Sequence, residues 1–125
     1  MTQELHIVLL SSEPFRAYPA IQLALGAAAM GTKAKVYCTS AGLELVKKGG
    51  ADEIQMPGFP PLGQLLRDAL SSGVKVCACA PSPEILEAMG ITEDTVEEGI
   101  ELEDVVTFLS EALPAAKEGG IVTFI

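Results

Sequence analysis

The sequence predicts an α/β fold with a parallel sheet that helices cover on both faces. Short apolar runs alternate along the chain with segments of helical periodicity, and this order is typical of strand–helix–strand units. The strand-like runs are apolar at consecutive positions rather than at alternate ones, as in strands that are buried on both sides. With 125 residues, the chain has the length of a single domain, 1–125.

Four short segments predict the strands of this sheet. Each is rich in apolar and β-branched residues and is bounded by glycine or polar residues. In chain order they are Leu5–Leu10, Lys33–Thr39, Val74–Ala78 and Ile121–Ile125. The proline-rich segment Ala51–Pro61 predicts a loop that contains a short extended piece at Glu53–Met56.

Apolar residues at helical spacing, together with capping signals, predict the helices. These are Ala20–Met30 with Pro19 in the first turn, Gly42–Lys48 after a cap at Ser40, Leu62–Leu70, Pro83 to Gly90, and Glu101–Ala116. Ser82 and Pro83 form a strong start, since serine caps a helix and proline suits its first position. The last helix is amphipathic, and its predicted inner face is Leu102, Val105, Val106, Leu109 and Leu113.

The charge balance narrows the classes of partner. Seventeen acidic residues oppose eight basic ones, giving a formal net charge of −9, which disfavours direct binding of nucleic acid. Ten of the acids lie between Lys75 and Lys117, where no lysine or arginine occurs. This acidic stretch is either a solvated face or a docking surface for a basic partner protein.

The sequence pattern carries no targeting signal. No basic segment precedes the first apolar run, and no stretch approaches the roughly 20 apolar residues that span a bilayer. We therefore predict a cytoplasmic protein without a membrane partner. In that compartment the three cysteines stay reduced or take part in chemistry.

Several reaction classes lack their motifs. No glycine-rich phosphate-binding fingerprint follows a strand, so we expect no nucleotide cofactor. Ser11 and Ser12 lie outside any G-x-S-x-G elbow and have no partner histidine, which argues against a serine hydrolase. The lone His6 is interpreted as a core residue. With the three cysteines it lacks the paired Cys-x₂₋₄-Cys spacing of zinc sites, so we expect no metal.

Polar residues and thiols stand at the carboxyl ends of the predicted strands, where the ligands of parallel sheets bind. Cys79 and Cys77 are the candidates for catalysis. The candidates for ligand binding are Ser11, Ser12, Cys38, Thr39, Ser40 and Ser82.

The two thiols of the third strand point the same way as long as the chain stays extended, because side chains alternate along a strand. Cys79 lies three residues before the cap Ser82, where free backbone N–H groups and the helix dipole stabilise a thiolate. This arrangement suits a nucleophile or sulfur carrier at Cys79, with Cys77 as the second candidate. The alternative is core packing, which we favour for Cys38. A thiol peroxidase is a weaker hypothesis, since no resolving cysteine, threonine or arginine is evident near Cys79.

Four stretches in this order resemble the DsrE/DsrF-like superfamily of small sulfur-handling proteins. They are Gly26–Gly31 at the end of the first helix, Val36–Leu43 across the second strand and its turn, Gly73–Cys79 followed by Ser82 and Met89–Ile91, and Glu98–Ile100 with Thr123–Ile125. The likeness covers nearly the whole chain.

The resemblance implies a three-layer α/β/α fold with a mainly parallel sheet of about five strands. It also implies homo-oligomers, either trimers or hexamers, and a cysteine that carries persulfide sulfur from a donor protein to an acceptor protein. One branch of the superfamily places that cysteine at Cys79, and branches resembling the tRNA-thiolation relay subunits place it at Cys77. The predicted function is thus a sulfur carrier. The alternative is a non-catalytic small-ligand-binding or assembly protein of the same fold.

Overall fold

A computed structural model describes residues 3–80, 82–92 and 94–125 of the chain. Its strands are Glu4–Leu9 (β1), Lys33–Cys38 (β2), Lys75–Cys79 (β3), Glu101–Glu103 (β4) and Ile121–Phe124 (β5). Its α-helices are Pro14–Ala29 (α1), Leu62–Ser71 (α2), Pro83–Ala88 (α3) and Val105–Lys117 (α4). Two 3₁₀ segments, Ser40–Leu45 and Ala51–Glu53, lie between β2 and α2. Glu93, one of the ten acids of the acidic stretch, lies outside the described residues.

The strands form one sheet in the order β4-β3-β2-β1-β5. All four pairings are parallel, so the predicted mainly parallel sheet of about five strands is confirmed. From β1 to β4 the chain steps across the sheet in one direction, and α4 then returns it to place β5 on the other side of β1. Because the strands are parallel, their carboxyl ends lie at one end of the sheet.

The two faces of the sheet pack against different helices. On the apolar face, strand residues pack with buried residues of α1, α2 and α3, and the strand residues are Ile7, Leu9, Val36, Cys38, Val76 and Ala78. On the opposite face, here the α4 face, Val8, Tyr37, Cys77 and Cys79 pack with Phe108 and Ala112 of α4. The sheet is the middle layer of the expected α/β/α arrangement.

The first helix begins earlier than its sequence pattern predicts. It starts at Pro14 rather than after Pro19, and it continues through Pro19. Proline is well suited to the first helical position, which Pro14 occupies. The buried stripe of Ala17, Tyr18, Ile21 and Ala24 spans both sides of Pro19, so packing on the sheet outweighs the loss of one helical hydrogen bond.

The predicted helix Gly42–Lys48 is instead the 3₁₀ segment Ser40–Leu45. Gly42 packs so closely on the end of β1 that a Cβ at this position would overlap the carbonyl oxygen of Leu9. This close approach requires glycine and holds the segment after β2 against the carboxyl end of β1. The loop Ala51–Pro61, with its predicted extended piece at Glu53–Met56, has a 3₁₀ turn at Ala51–Glu53.

The predicted helix Glu101–Ala116 is divided into a strand and a helix. Its first three residues form the edge strand β4, and α4 begins after Asp104, whose carboxylate accepts a 2.7 Å hydrogen bond from the backbone N–H of Thr107. Asp104 is thus the N-cap that separates the two elements.

The predicted inner face of this helix is wrong. The side chains that α4 buries are Phe108, Ala112 and Ala115, whereas Val105, Val106, Leu109 and Leu113 are exposed. The apolar arc of α4 is wider than its contact with the sheet, and the sequence pattern does not show which part of the arc makes that contact. In the described part of the chain, no helix combines the length and the apolar character needed for a membrane crossing.

Candidate functional site

The three thiols lie on two different faces of the sheet. Cys38 packs in the apolar face, and burial raises the pKa of its thiol to about 12. Cys77 and Cys79 share the α4 face of β3. The strand ends one residue later than predicted, so Cys79 is its last residue. Cys38 and Cys77 are both 0% exposed, whereas Cys79 keeps 6% of its surface exposed.

A group of four charges, of which Lys35 and Glu103 are buried, lies beside Cys77 on the α4 face. Lys35 of β2 is 2% exposed, and its Nζ donates to a carboxylate oxygen of Glu103 and, at 2.9 Å, to Oε2 of Glu111. Lys75 Nζ lies 3.7 Å from carboxylate oxygens of both glutamates. Lys35 and Glu103 thus form a buried ion pair, whereas the side chains of Lys75 and Glu111 are 38% and 33% exposed and lie at its edge.

These pairings favour the charged forms of Lys35 and Glu111. Burial by itself lowers the pKa of Lys35, but its hydrogen bonds to Glu103 and Glu111 raise the pKa above its ordinary value. The hydrogen bond from Lys35 lowers the pKa of Glu111. Lys35 is therefore a cation at neutral pH, and it is an electrostatic group rather than an amine nucleophile.

Glu103 links this charged group to the thiol of Cys77. The Cys77 Sγ donates to Oε2 of Glu103 across 3.6 Å. Burial and then the charge of Glu103 raise the pKa of Cys77 to about 12, against the opposing effect of Lys35 and Lys75. Cys77 is thus held as a protonated thiol at neutral pH, which makes it a poor nucleophile.

The end of β3 is fixed by the backbone of Glu103. The carbonyl oxygen of Glu103 accepts hydrogen bonds from the Tyr37 hydroxyl at 3.1 Å and from the backbone N–H of Ala80 at 3.1 Å. The Tyr37 ring stacks on Phe108 of α4 with centroids 4.4 Å apart. Burial, and then the neighbouring Cys79 thiol, raise the pKa of Tyr37 well above its ordinary value. Cys79 therefore has a neutral phenol as its neighbour.

The helix start after β3 lies where the sequence predicts it. Ser82 is the N-cap of α3, and its hydroxyl accepts a hydrogen bond from the backbone N–H of Ile85 at 3.2 Å. The helix has only six residues.

The other hydroxyl candidates stand at the carboxyl ends of β1 and β2. Ser11 and Ser12 follow β1 and are half-buried, and the Ser11 hydroxyl accepts a hydrogen bond from the backbone N–H of Glu13. Thr39 is half-buried, whereas Ser40 is exposed and has a φ of 52°. This left-handed conformation is uncommon outside glycine and is found most often in tight turns and at binding sites.

A cavity of about 500 Å³ opens at the carboxyl ends of β3 and β4, beside α3. Its lining residues are Ala80, Ser82, Leu86, Glu87, Ile91, Thr92, Leu102 and Asp104. Of the sequence candidates, this cavity contains Ser82 and none of the cysteines.

Sequence reasoning missed the charged group around Cys77. After the exposed Lys33, the side chains of Lys35 and Tyr37 alternate with the apolar residues of a buried strand, and this alternation is the signal that could have identified them. Glu103 could not be found in this way, because its segment reads as part of a helix. His6 is a core residue as expected, 1% exposed, with Nε2 3.0 Å from Oε1 of Glu4.

The fold and this site together define a small parallel α/β protein with paired thiols at the carboxyl end of an inner strand. The chain belongs to the DsrE/DsrF-like family, since the family model matches residues 6–122. The resemblance found in the sequence is therefore confirmed.

One relative is similar to this chain in sequence, and one solved structure is similar to it in fold. An uncharacterized protein of Methanocaldococcus jannaschii is 39% identical over 95 residues, which are 76% of this chain and 34% of that protein. The chain thus spans about a third of the length of this curated relative. A protein of unknown function from Methanobacterium thermoautotrophicum has the same fold, with a TM-score of 0.71 at 16% identity over 98% of this chain and 99% of that chain.

Proposed function

We propose that the protein is a sulfur carrier that holds persulfide sulfur on Cys79. The observation that carries this proposal is the position of Cys79 as the last residue of β3, at the end of the sheet where parallel α/β proteins bind their ligands. It keeps 6% exposure, whereas Cys38 and Cys77 have none. Membership of the DsrE/DsrF-like family supports the same proposal.

The transfer is a thiol exchange without a net change of oxidation state. The Cys79 thiolate attacks the outer sulfur of a donor persulfide, R–S–SH, and the donor S–S bond breaks. Cys79 then carries –S–SH, and the donor leaves as a thiolate that takes up a proton. An acceptor thiolate attacks the same outer sulfur in the second half of the cycle and returns Cys79 to a thiolate. A sulfur donor protein and an acceptor protein are the partners that this cycle requires.

The second thiol favours a carrier over a peroxidase. Same-face neighbours on a strand stand about 6.6 Å apart, close to the upper limit of about 6.8 Å between Cα atoms joined by a disulfide. Cys77 is also held protonated against Glu103. A peroxidase that is recycled through an internal disulfide needs a resolving thiol that can form such a bond, whereas a persulfide carrier does not. Because the carrier needs a reduced thiol, the proposal places the protein in the cytoplasm.

Intact-mass spectrometry after incubation with a persulfide donor tests the proposal. We expect the wild-type chain to gain the mass of one sulfur atom and to lose it again to a thiol acceptor. Cys79→Ser should abolish the gain, whereas the matched controls Cys38→Ser and Cys77→Ser should retain it. A wild-type chain without the added mass, or a Cys79→Ser chain that still gains it, would refute the proposal.

We further propose that the carrier is a homo-oligomer whose copies meet at the exposed apolar strip of α4. The strip consists of Val105, Val106, Leu109 and Leu113, which lie on one side of the helix and are 40–76% exposed. The strip itself carries no charge, although the chain has a net charge of −9. Two such acidic copies repel each other at most approaches, so contact through an uncharged apolar strip costs least.

A further inference from the structure

A cavity lies on the other side of β3 from the thiols. The cavity beside α3 has a volume of about 500 Å³, within the range of small-molecule sites. Its apolar wall consists of Ala80, Leu86, Ile91 and Leu102. Leu86 and Ile91 belong to the core beneath the apolar face, so the wall is continuous with a well-packed region. An apolar molecule that enters the cavity is thus removed from water on several sides.

The polar residues that line the cavity carry carboxylate or hydroxyl groups. Asp104 and Glu87 supply carboxylates, and Ser82 and Thr92 supply hydroxyl groups. The Asp104 Oδ1 accepts from the Thr107 N–H, and this bond lowers the pKa of Asp104, so the carboxylate is an anion at neutral pH.

Among the described residues that line this cavity, the charged side chains are all acidic. Among the residues that the structure describes, neither Asp104 nor Glu87 takes part in an ion pair, and the ion pairs of Lys75 run to Glu101, Glu103 and Glu111. The sequence has no lysine or arginine between Lys75 and Lys117. In the described part of the chain, the cavity therefore combines an apolar wall with two carboxylates that lie outside any ion pair.

We propose that this cavity binds a small molecule with an apolar body and a cationic head, such as a primary alkylamine. The alkyl body packs on the apolar wall, and the ammonium group donates hydrogen bonds to the carboxylates and hydroxyls at the rim. An anionic head of the same size is repelled by Asp104 and Glu87. This binding goes beyond the proposed sulfur transfer, and it does not depend on Cys79.

Titration of the full chain with three ligands that share one alkyl body tests the proposal. The ligands are hexylamine, hexanol and hexanoate, and the readout is the chemical shift of the methyl groups of Leu86, Ile91 and Leu102. We expect hexylamine to bind most tightly, hexanol more weakly, and hexanoate not at all. Equal binding of hexanoate and hexylamine, or no binding of hexylamine, would overturn the proposal.

Substitutions in the cavity distinguish the contribution of its charge to binding from the contribution of its shape. Asp104→Asn keeps a good helix cap, and together with Glu87→Gln it should weaken hexylamine about two- to fivefold for each charge removed, without changing hexanol. Ala80→Leu fills the cavity and should abolish both. The matched control is Glu118→Gln, an exposed acid outside this cavity, which should change neither affinity. An effect of Glu118→Gln as large as that of Asp104→Asn would contradict the assignment.

Cys79→Ser distinguishes this proposal from the proposed sulfur transfer. The variant should bind hexylamine with wild-type affinity while it fails to gain sulfur. If Cys79→Ser loses amine binding, the cavity is not an independent site and the proposal fails. If amine binding is unchanged and the wild-type chain takes up no sulfur, only the carrier function is refuted.

Discussion

The two faces of this sheet bury different kinds of residue under different amounts of helix. The apolar face lies under α1, α2 and α3, and its strand residues Ile7, Leu9, Val36 and Val76 are all at most 1% exposed. The α4 face lies under one helix, and its buried residues include His6, Lys35 and Glu103 together with the thiol of Cys77. The sequence pattern predicts strands that are apolar on both faces. In the structure one face buries aliphatic side chains, and the other buries ionised groups as well.

Because of this difference, the two faces contribute differently to stability and to the chemistry of the thiols. Burial of aliphatic side chains on the apolar face stabilises the fold, at about 1.5–3 kcal/mol for each fully buried residue. Buried charges contribute little net stability, because desolvation offsets their attraction, but the loss of one partner is costly. The α4 face therefore depends on intact pairs, and its charged groups act on the thiol of Cys77.

The largest expected effect comes from removing one buried charge from the α4 face. Lys35→Met leaves Glu103 without its closest cation, and we expect a loss of about 3–5 kcal/mol in the free energy of unfolding. Urea denaturation followed by circular dichroism measures this loss. Lys33→Met is the matched control, since this lysine is 61% exposed on the same strand and should change stability by less than about 0.5 kcal/mol.

The double variant Lys35→Met with Glu103→Leu sharpens this comparison. It replaces the pair by apolar groups of similar size, so it should recover most of the stability that Lys35→Met loses. If the double variant is no more stable than Lys35→Met, or if Lys33→Met is as harmful as Lys35→Met, the charged pair is not what holds this face together.

We expect an intermediate loss of stability when serine replaces Cys38 or Cys77, the two fully buried cysteines that lie on opposite faces of the sheet. The hydroxyl of Cys38→Ser is placed among apolar side chains, where a buried polar group without a partner costs about 1–3 kcal/mol. The hydroxyl of Cys77→Ser can donate to Glu103, as the thiol does, so it should cost about 1 kcal/mol less. Thermal unfolding of the two variants under identical conditions compares them. Equal losses would show that the faces do not differ in how they accept a hydroxyl group.

The sequence predicts the order of the main elements but not the pairing of distant charges. Four of the strands and the start of α3 at Ser82 and Pro83 are readable, because local apolar runs and caps specify them. The pairing of Lys35 with Glu103 joins residues 68 positions apart, and it depends on β4 lying beside β3. A strand as short as Glu101–Glu103 has too few residues for an alternating pattern, so the sequence assigns it to the following helix.

The candidate site is only partly readable for the same reason. Its thiols were found because cysteine is a rare residue with known chemistry at a strand end. Neither the different faces of Cys38 and Cys77 nor the contact of Cys77 with Glu103 could be derived, because both depend on how the strands pair. The apolar pattern of α4 predicts a helix, but it does not show that Phe108, Ala112 and Ala115 are the buried residues.

The smallest expected change in stability, and the largest in assembly, comes from the exposed apolar strip of α4. Leu113 is 65% exposed, so Leu113→Ser should change the free energy of unfolding of one copy by less than about 0.5 kcal/mol. If copies meet at this strip, the same substitution removes apolar contact from both sides of the interface. Sedimentation velocity at several concentrations should then show wild-type oligomers and a shift of Leu113→Ser toward the monomer.

Leu23→Ser is the matched control, since this leucine of α1 is 53% exposed but lies on a helix that packs against the other face of the sheet. A wild-type chain that stays monomeric, or a Leu23→Ser variant that dissociates as readily as Leu113→Ser, would show that the strip of α4 does not join the copies.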